Sequence, residues 1–176
     1  MRKRDKIGLC SVILAGAFAL NYKGIANFIH KKYIMPNQIQ TQIEPQYSQD
    51  AKILARAIFG EARGGSEELK IAVAQTILNR VRDNRWPNTL EKVILQPRQF
   101  SCFNENDLNY PKVQNPEAYE PEIWQECLGV AQGVLKGRYR DLANGANHYH
   151  TNAVNPSWSR GEDPVNQIEN TLFFNL

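Results

Sequence analysis

The chain has 176 residues, of which 42% are hydrophobic and 22% are charged, and this composition excludes an intrinsically disordered protein. Its net charge of +3 is unevenly distributed, because residues 1–33 carry +6 and residues 34–176 carry the remaining −3. A nucleic-acid-binding domain places its basic excess on the folded body. We therefore expect no nucleic-acid partner. We also expect a monomer.

Residues 1–30 have the pattern of a signal peptide or of a weak signal-anchor helix. A basic start is followed by Ile7–Leu20, an uncharged and mostly apolar run of 14 residues, which is shorter than the ~20 that a spanning helix needs. Ala17-Phe18-Ala19 offers a small-x-small cleavage pattern, whereas the apolar character continues beyond it. Both interpretations stay open. Either one predicts export to the periplasm or cell envelope, with the inner membrane contacted through residues 7–22 or the body released after cleavage.

A linker is predicted over residues 31–48. The segment contains Pro36, Pro45 and several glutamines and has no regular hydrophobic period. The remaining residues, 49–176, are then predicted to form one folded domain.

The body begins with helical patterns whose ends are marked by capping residues. Ser48, Ser66 and Thr89 each precede a run with helical hydrophobic spacing, as expected of N-caps. Pro121 is suited to the first position of a long helix, and Gly137 to its end. The predicted helices cover residues 48–62, 66–84, 89–95 and 121–137, and residues 98–115 are predicted to be a loop.

The pattern changes after Gly145. Ala146–His150 alternates between polar and less polar residues, and Thr171–Phe174 is rich in residues that favour strands. Two or three short strands are predicted there. The fold class is therefore α+β and mainly α, with a small antiparallel β element near the C-terminus.

Glu61 is the first candidate for a catalytic residue. It lies in the last turn of a predicted helix, within Gly60-Glu61-Ala62-Arg63-Gly64-Gly65. The partial negative charge of a helix C-terminus and desolvation by apolar neighbours would both raise its pKa, and a glutamate protonated near neutral pH can act as a general acid. The alternative is a solvent-facing glutamate paired with Arg63 or Arg56, and spacing alone does not decide between the two.

Gln99-Phe100-Ser101-Cys102 is a second candidate segment. Its polar and aromatic residues alternate, so Gln99 and Ser101 could line a groove for sugars, which have apolar faces and hydroxylated rims. The alternative is an ordinary loop anchored by Phe100.

His148 and His150 could be two metal ligands on one face of a strand, completed by Glu61 or Asp141. A catalytic zinc site needs three protein ligands as a rule, and the third histidine, His30, lies in the N-terminal segment. We favour hydrogen bonds to substrate or backbone, and expect no metal and no cofactor.

Cys102 and Cys127 could form a disulfide after export. The alternative is that Cys127 is a small buried hydrophobic residue on its helix. Cys10, in the apolar run, would be left unpaired in either case.

Residues of about 50–176 resemble the SleB/CwlJ-type cell wall hydrolases, the spore cortex-lytic family. The segments that carry the resemblance are Ala57–Gly64, Ala72–Ala74, Asn79–Val81, Gln99–Cys102, Asp141–Tyr149 and Pro156–Trp158. The resemblance implies a lysozyme-like or lytic-transglycosylase-like fold that cleaves peptidoglycan between N-acetylmuramic acid and N-acetylglucosamine, with Glu61 as the catalytic glutamate. The chain departs from the family at Glu169 and Thr171, where relatives often have glycine and histidine.

The resemblance leads to a mechanistic hypothesis, a single-glutamate lytic transglycosylase that leaves 1,6-anhydro ends on the glycan strands. The predicted substrate-binding residues are Arg63, Gln99, Ser101, His148, Tyr149 and Trp158. Three alternatives stay open. They are a muramidase that uses water with Asp141 or another carboxylate, an N-acetylmuramoyl-L-alanine amidase, and a peptidoglycan-binding module without activity.

Overall fold

A computed structural model describes residues 47–176, so the predictions for the N-terminal apolar segment and most of the linker lie outside the described residues. The described part contains six α-helices and three strands, which confirms the predicted mainly helical α+β class. The helices are α1 (Gln49–Ala62), α2 (Glu67–Arg82), α3 (Leu90–Ile94), α4 (Tyr110–Gln114), α5 (Pro116–Tyr119) and α6 (Pro121–Leu135). The strands are β1 (His148–Thr151), β2 (Asn166–Ile168) and β3 (Thr171–Phe174).

The predicted helix ends are confirmed by their capping contacts. The side-chain oxygens of Ser48, Ser66 and Thr89 each accept a hydrogen bond from the backbone N–H three residues later, at 3.1, 3.3 and 3.3 Å. These bonds satisfy amide groups that have no partner inside the helix. Pro121 is the first residue of α6, and Gly137 follows that helix with a φ of 65°, the left-handed conformation that glycine favours.

Helix α1 lies at the centre of the hydrophobic core. It packs against α2, α3 and α6, and its residues Leu54, Ile58 and Phe59 are completely buried. The C-terminal turn of α1 is therefore held in place by the core of the domain, which makes it a rigid platform for Glu61.

The prediction of a loop over residues 98–115 is wrong in part. The segment contains a 3₁₀ helix, Ser101–Phe103, and α4. The many asparagines of this segment favoured a loop prediction, but its apolar residues Phe100, Cys102 and Val113 are buried. These anchors fold the segment against α1, because Cys102 and Val113 both pack on Gly60.

The three strands form an antiparallel sheet in the order β1-β3-β2. Tyr149 pairs with Phe173, which is completely buried. Because successive side chains of a strand point to opposite faces, Tyr149 faces the helices, whereas His148 and His150 lie on the other face. β1 therefore sends neighbouring residues to two different environments.

The structure explains why glutamate is tolerated at position 169, where relatives often have glycine. Glu169 has a φ of 53° at the start of the two-residue connection between β2 and β3, in the left-handed region that glycine adopts at least cost. Its Oε1 accepts a hydrogen bond of 2.8 Å from the backbone N–H of Ser66 at the start of α2. A carboxylate is favoured at a helix N-terminus, so this contact offsets the backbone strain. Thr171 is buried and pairs with Thr151.

We expect Gly60→Ala and Gly129→Ala to change stability in opposite directions. A Cβ at Gly60 would overlap the Cys102 sulfur and lie 3.3 Å from Val113, so Gly60→Ala should lower the free energy of unfolding by about 1–3 kcal/mol. Gly129 lies inside α6 with no atom within 4 Å of an added Cβ, so Gly129→Ala should raise it by about 0.5–1 kcal/mol. Urea denaturation measures both. Equal stability of Gly60→Ala and wild type would contradict the close approach of Cys102 and Val113 to Gly60.

Candidate active site

The carboxyl group of Glu61 lies between two hydrogen-bond donors from distant parts of the chain. The Tyr149 hydroxyl donates to Glu61 Oε2 at 3.0 Å, and the Cys102 thiol donates to Oε1 at 3.7 Å. The Glu61 side chain is nevertheless exposed to solvent. A carboxyl group held by two donors yet reachable from solvent is suited to transferring a proton to an external substrate.

Although Glu61 as a whole residue is exposed, protein atoms crowd its carboxyl group, and this desolvation raises the pKa of Glu61 above its ordinary value of 4.5. The Tyr149 and Cys102 hydrogen bonds and the positive charge of Arg80 oppose this effect, while the negative charge of Asp107 adds to it. Desolvation is the largest cause and decides the direction. This direction agrees with the one expected from the sequence, with desolvation as the main cause.

Both donors keep their protons near neutral pH. Burial and the charge of Glu61 hold the pKa of Tyr149 well above its ordinary value of 10.0, and burial raises the pKa of the Cys102 thiol to about 12. The Tyr149 ring packs against Phe173 at 5.8 Å between centroids, which fixes the direction of its hydroxyl. Tyr149 and Cys102 therefore remain donors whether Glu61 is protonated or ionised.

Arg80 is the cation of the site, and the sequence analysis did not identify it as a functional residue. It lies on α2, is only 6% exposed, and donates to the carbonyl oxygen of Asn147 at 2.6 Å and to Gln99 Oε1 at 3.0 Å. Its guanidinium also lies over the rings of Trp86 and Phe100. A sequence signal was present, because Arg80 falls on the buried face of α2, three residues after Ile77.

Asp107 is the second residue that the sequence analysis missed. Its Oδ2 accepts a 2.8 Å hydrogen bond from the Ser101 hydroxyl, and its Oδ1 accepts one of 2.8 Å from the backbone N–H of Asn109. These bonds hold the pKa of Asp107 below its ordinary value. Nothing in the Asn-rich sequence around Asp107 distinguishes it from an ordinary turn residue.

On the face of the sheet opposite Tyr149, five rings form an aromatic cluster. Its members are Trp86, His148, His150, Trp158 and Phe174. The ring of His148 lies 5.6 Å from Trp86 and 5.0 Å from Trp158, and His150 lies 5.3 Å from Trp158 and 5.0 Å from Phe174. Trp158 remains 37% exposed. The cluster connects to Arg80 through Trp86.

Arg63 is not paired with Glu61. Its guanidinium pairs with Glu120 at 3.4 Å and donates to Asn109 Oδ1 at 2.8 Å. It also lies over the Phe59 ring, at 5.4 Å. Arg63 therefore attaches the loop containing Asn109 to the end of α1.

The proposed disulfide between Cys102 and Cys127 is wrong. Within residues 47–176 both cysteines are free and buried. Cys102 donates to Glu61, whereas Cys127 lies on α6, where Lys70 and Glu126 influence its pKa, which burial raises to about 12. The two thiols therefore lie in different surroundings, one beside Glu61 and the other on α6.

Asp141 is a turn residue. Its Oδ1 accepts the backbone N–H of Ala143 at 3.0 Å, and its Oδ2 accepts that of Gly145 at 2.9 Å. In the described part of the chain, no three His, Cys, Asp or Glu side chains are grouped as metal ligands would be.

The predicted site residues therefore fall into several environments. Tyr149 contacts Glu61 directly, Gln99 is linked to it through the charge of Arg80, and Ser101 contacts Asp107. His148 and Trp158 lie in the aromatic cluster. Their roles in substrate binding, like that of Arg63, stay predictions.

We expect Glu61→Gln to stabilise the protein near neutral pH. Because the pKa of Glu61 is raised by folding, its contribution to stability is complete below its unfolded pKa and is lost as the pH rises through the folded value. A neutral amide does not titrate, so the stability difference between Glu61→Gln and wild type should grow from pH 4 to pH 8 in thermal unfolding. A difference that is independent of pH would contradict the raised pKa.

The comparisons with known proteins identify the family of the chain. Residues 64–174 match the family model described as Cell Wall Hydrolase, which begins three residues after Glu61. A spore cortex-lytic enzyme of Halalkalibacterium halodurans is 33% identical over 137 residues, which cover 77% of this chain and 38% of that protein. A spore cortex-lytic enzyme of Bacillus cereus is 38% identical over 74 residues, 42% of this chain and 29% of that protein. The chain thus spans well under half the length of these relatives.

Two solved structures resemble the domain. The catalytic domain of the Bacillus cereus SleB protein aligns with a TM-score of 0.52 and 27% identity, over 73% of this chain and 92% of that one. The catalytic domain of the germination-specific lytic transglycosylase SleB from Bacillus anthracis aligns with a TM-score of 0.55 and 26% identity, over 74% and 98%. The resemblance to SleB-type enzymes predicted from the sequence is confirmed, and the chain belongs to the cell wall hydrolase family.

Proposed function

We propose that residues 49–176 form a peptidoglycan-degrading enzyme that cleaves the glycan strand between N-acetylmuramic acid and N-acetylglucosamine. The observation that carries this proposal is the Glu61 carboxyl group, which has a raised pKa, is accessible from solvent and is held by two donors. Membership of the cell wall hydrolase family supports a wall substrate. A likeness to a germination-specific lytic transglycosylase supports cleavage of the glycan.

In the proposed mechanism Glu61 acts first as an acid and then as a base. The protonated carboxyl group gives its proton to the glycosidic oxygen as the bond from that oxygen to C1 of the muramic acid breaks. An oxocarbenium-like centre develops at C1. The Glu61 carboxylate then takes the proton of the C6 hydroxyl of the same sugar while O6 bonds to C1. The products are a 1,6-anhydro end and a free hydroxyl on N-acetylglucosamine, and Glu61 has recovered its proton.

The surroundings of Glu61 suit both halves of this cycle. Desolvation favours the protonated acid at the start. After donation, the Tyr149 hydroxyl, the Cys102 thiol and the charge of Arg80 each stabilise the carboxylate. These opposing influences keep the free energies of the two protonation states close, which general acid–base catalysis requires.

The substrate-binding residues are proposed from their exposure and from their links to Arg80, either directly or through Trp86. Trp158 offers a partly exposed ring on which the apolar face of a sugar can stack. His148 packs directly against it. Gln99 is exposed at the surface next to Arg80, where its amide can bind sugar hydroxyls or N-acetyl groups.

The enzyme is proposed to act outside the inner membrane, where peptidoglycan lies. Residues 1–30 would serve as a signal peptide or anchor, as predicted from the sequence. Among the helices of residues 47–176, none combines the length and the apolar character that crossing a membrane requires.

We expect Glu61→Gln to abolish release of soluble fragments from purified sacculi. Loss of an acid–base group lowers the rate by about 10²–10⁴-fold, and a residue that acts in both steps should lose at least that much. Glu68→Gln, in the first turn of α2, is the control and should keep full activity. Mass spectrometry of the muropeptides made by the full-length chain should find 1,6-anhydro ends.

Other outcomes of that experiment identify the alternatives. Glycan ends that are heavier by one water would indicate a muramidase, and peptides released from intact glycan would indicate an amidase. Sedimentation of the protein with sacculi and no soluble product would indicate a binding module. Full activity of Glu61→Gln would reject the assignment of Glu61.

We expect Tyr149→Phe to raise the pKa of Glu61 and to lower the rate. The lost hydroxyl stabilises the ionised carboxylate, so the fall in kcat/KM at alkaline pH should move to higher pH. Tyr139→Phe is the matched control, because the Tyr139 hydroxyl contacts Glu67. A pH–rate profile for Tyr149→Phe that coincides with those of wild type and Tyr139→Phe would exclude a role for this hydrogen bond.

A further inference from the structure

We propose that Asp107 is a second functional carboxylate of the site, whose negative charge stabilises the positive charge that develops at C1 of the sugar. The inference rests on the proposed function, because it assigns a role in the same reaction. It also differs from the single-glutamate hypothesis drawn from the sequence, in which no second acidic residue takes part.

Both carboxyl groups accept hydrogen bonds from one short element. Glu61 accepts a hydrogen bond from Cys102, and Asp107 accepts one from Ser101. Ser101 and Cys102 are consecutive residues of the same 3₁₀ helix. The two carboxyl groups therefore contact adjacent residues of this 3₁₀ helix, and the negative charge of Asp107 raises the pKa of both Glu61 and Cys102.

The loop that carries Asp107 is fixed to α1. The Asn109 side chain accepts a 2.8 Å hydrogen bond from Arg63, while the backbone N–H of Asn109 donates to Asp107. Arg63 in turn pairs with Glu120. This chain of contacts holds the Asp107 carboxylate in position.

The environments of the two carboxyl groups differ in the way that divided roles require. Asp107 accepts bonds from a hydroxyl and a backbone amide, which stabilise its ionised form, whereas Glu61 is desolvated and favours its proton. When the pKa values of two neighbouring acids differ in this way, one can give a proton while the other remains charged. A fixed negative charge beside an oxocarbenium-like centre lowers the free energy of the transition state.

Four charged or titratable groups act on the pKa of Glu61. Tyr149 reaches it from β1, Cys102 from the 3₁₀ helix and Arg80 from α2, and all three favour the ionised form of Glu61. Asp107 is the neighbour with the opposite effect. Its removal should therefore lower the pKa of Glu61, and a fall in kcat beside that shift separates a role in the reaction from a purely structural one.

The test compares three variants of the full-length chain on purified sacculi. Asp107→Asn removes the charge and keeps the shape. Ser101→Ala removes the hydrogen bond and keeps the charge. Glu105→Gln removes a charge from the same loop at an exposed residue. Folding of each variant is checked by thermal unfolding, and Asp107→Ser serves as a second uncharged variant should Asp107→Asn fold poorly.

For Asp107→Asn we expect kcat to fall on the order of tenfold to a hundredfold. The alkaline limb of the kcat/KM profile should move to lower pH. Ser101→Ala should leave that limb in place, and Glu105→Gln should match wild type in both rate and profile.

The outcomes separate this inference from the proposed function. If Glu61→Gln is inactive while Asp107→Asn and Asp107→Ser keep the wild-type kcat and pH profile, Asp107 has no such role and the inference is overturned. The same conclusion follows if Ser101→Ala reproduces every effect of Asp107→Asn. If the wild-type chain releases nothing from sacculi, the proposed function itself fails.

Discussion

The two oxygens of the Glu61 carboxyl group are each held by a donor from a different part of the chain, and the rest of the site depends on this arrangement. The Tyr149 hydroxyl comes from the sheet and the Cys102 thiol from the 3₁₀ helix. Tyr149 reaches Glu61 because side chains alternate between the two faces of β1, and that of Tyr149 points towards the helices. The 3₁₀ helix can approach because position 60 has no side chain to keep Cys102 away.

Desolvation and charge act on Glu61 in opposite directions. Burial of the carboxyl group and the charge of Asp107 favour the protonated form, while Arg80 and the two donors favour the ionised form. Arg80 is itself buried and bound mainly by neutral partners, Asn147 and Gln99, so its charge is only weakly screened there. A site balanced in this way can release a proton and recover it within one catalytic cycle.

Local sequence signals predicted most elements of the fold and a few residues of the site, among them Glu61 and Tyr149. Ser48, Ser66 and Thr89 marked helix starts because capping depends on residues close in sequence. Glu61 became a candidate through its place at the end of a helix, which is also a local property, and the family resemblance then favoured it as the catalytic glutamate. Arg80 and Asp107 were missed because their importance arises from residues 19 and 6 positions away, Gln99 and Ser101. The possible disulfide was wrong for a similar reason, because local sequence does not show that Cys102 contacts Glu61 and that both cysteines are buried as free thiols.

The proton on Glu61 is the central claim, and its titration can be measured directly. The ¹³C chemical shift of the Glu61 carboxyl carbon, assigned by its disappearance in Glu61→Gln, would be followed by NMR as a function of pH in the full-length chain. The account predicts a midpoint clearly above the ordinary value of 4.5. A midpoint at or below that value would contradict it, because Glu61 would then be ionised before any substrate arrives.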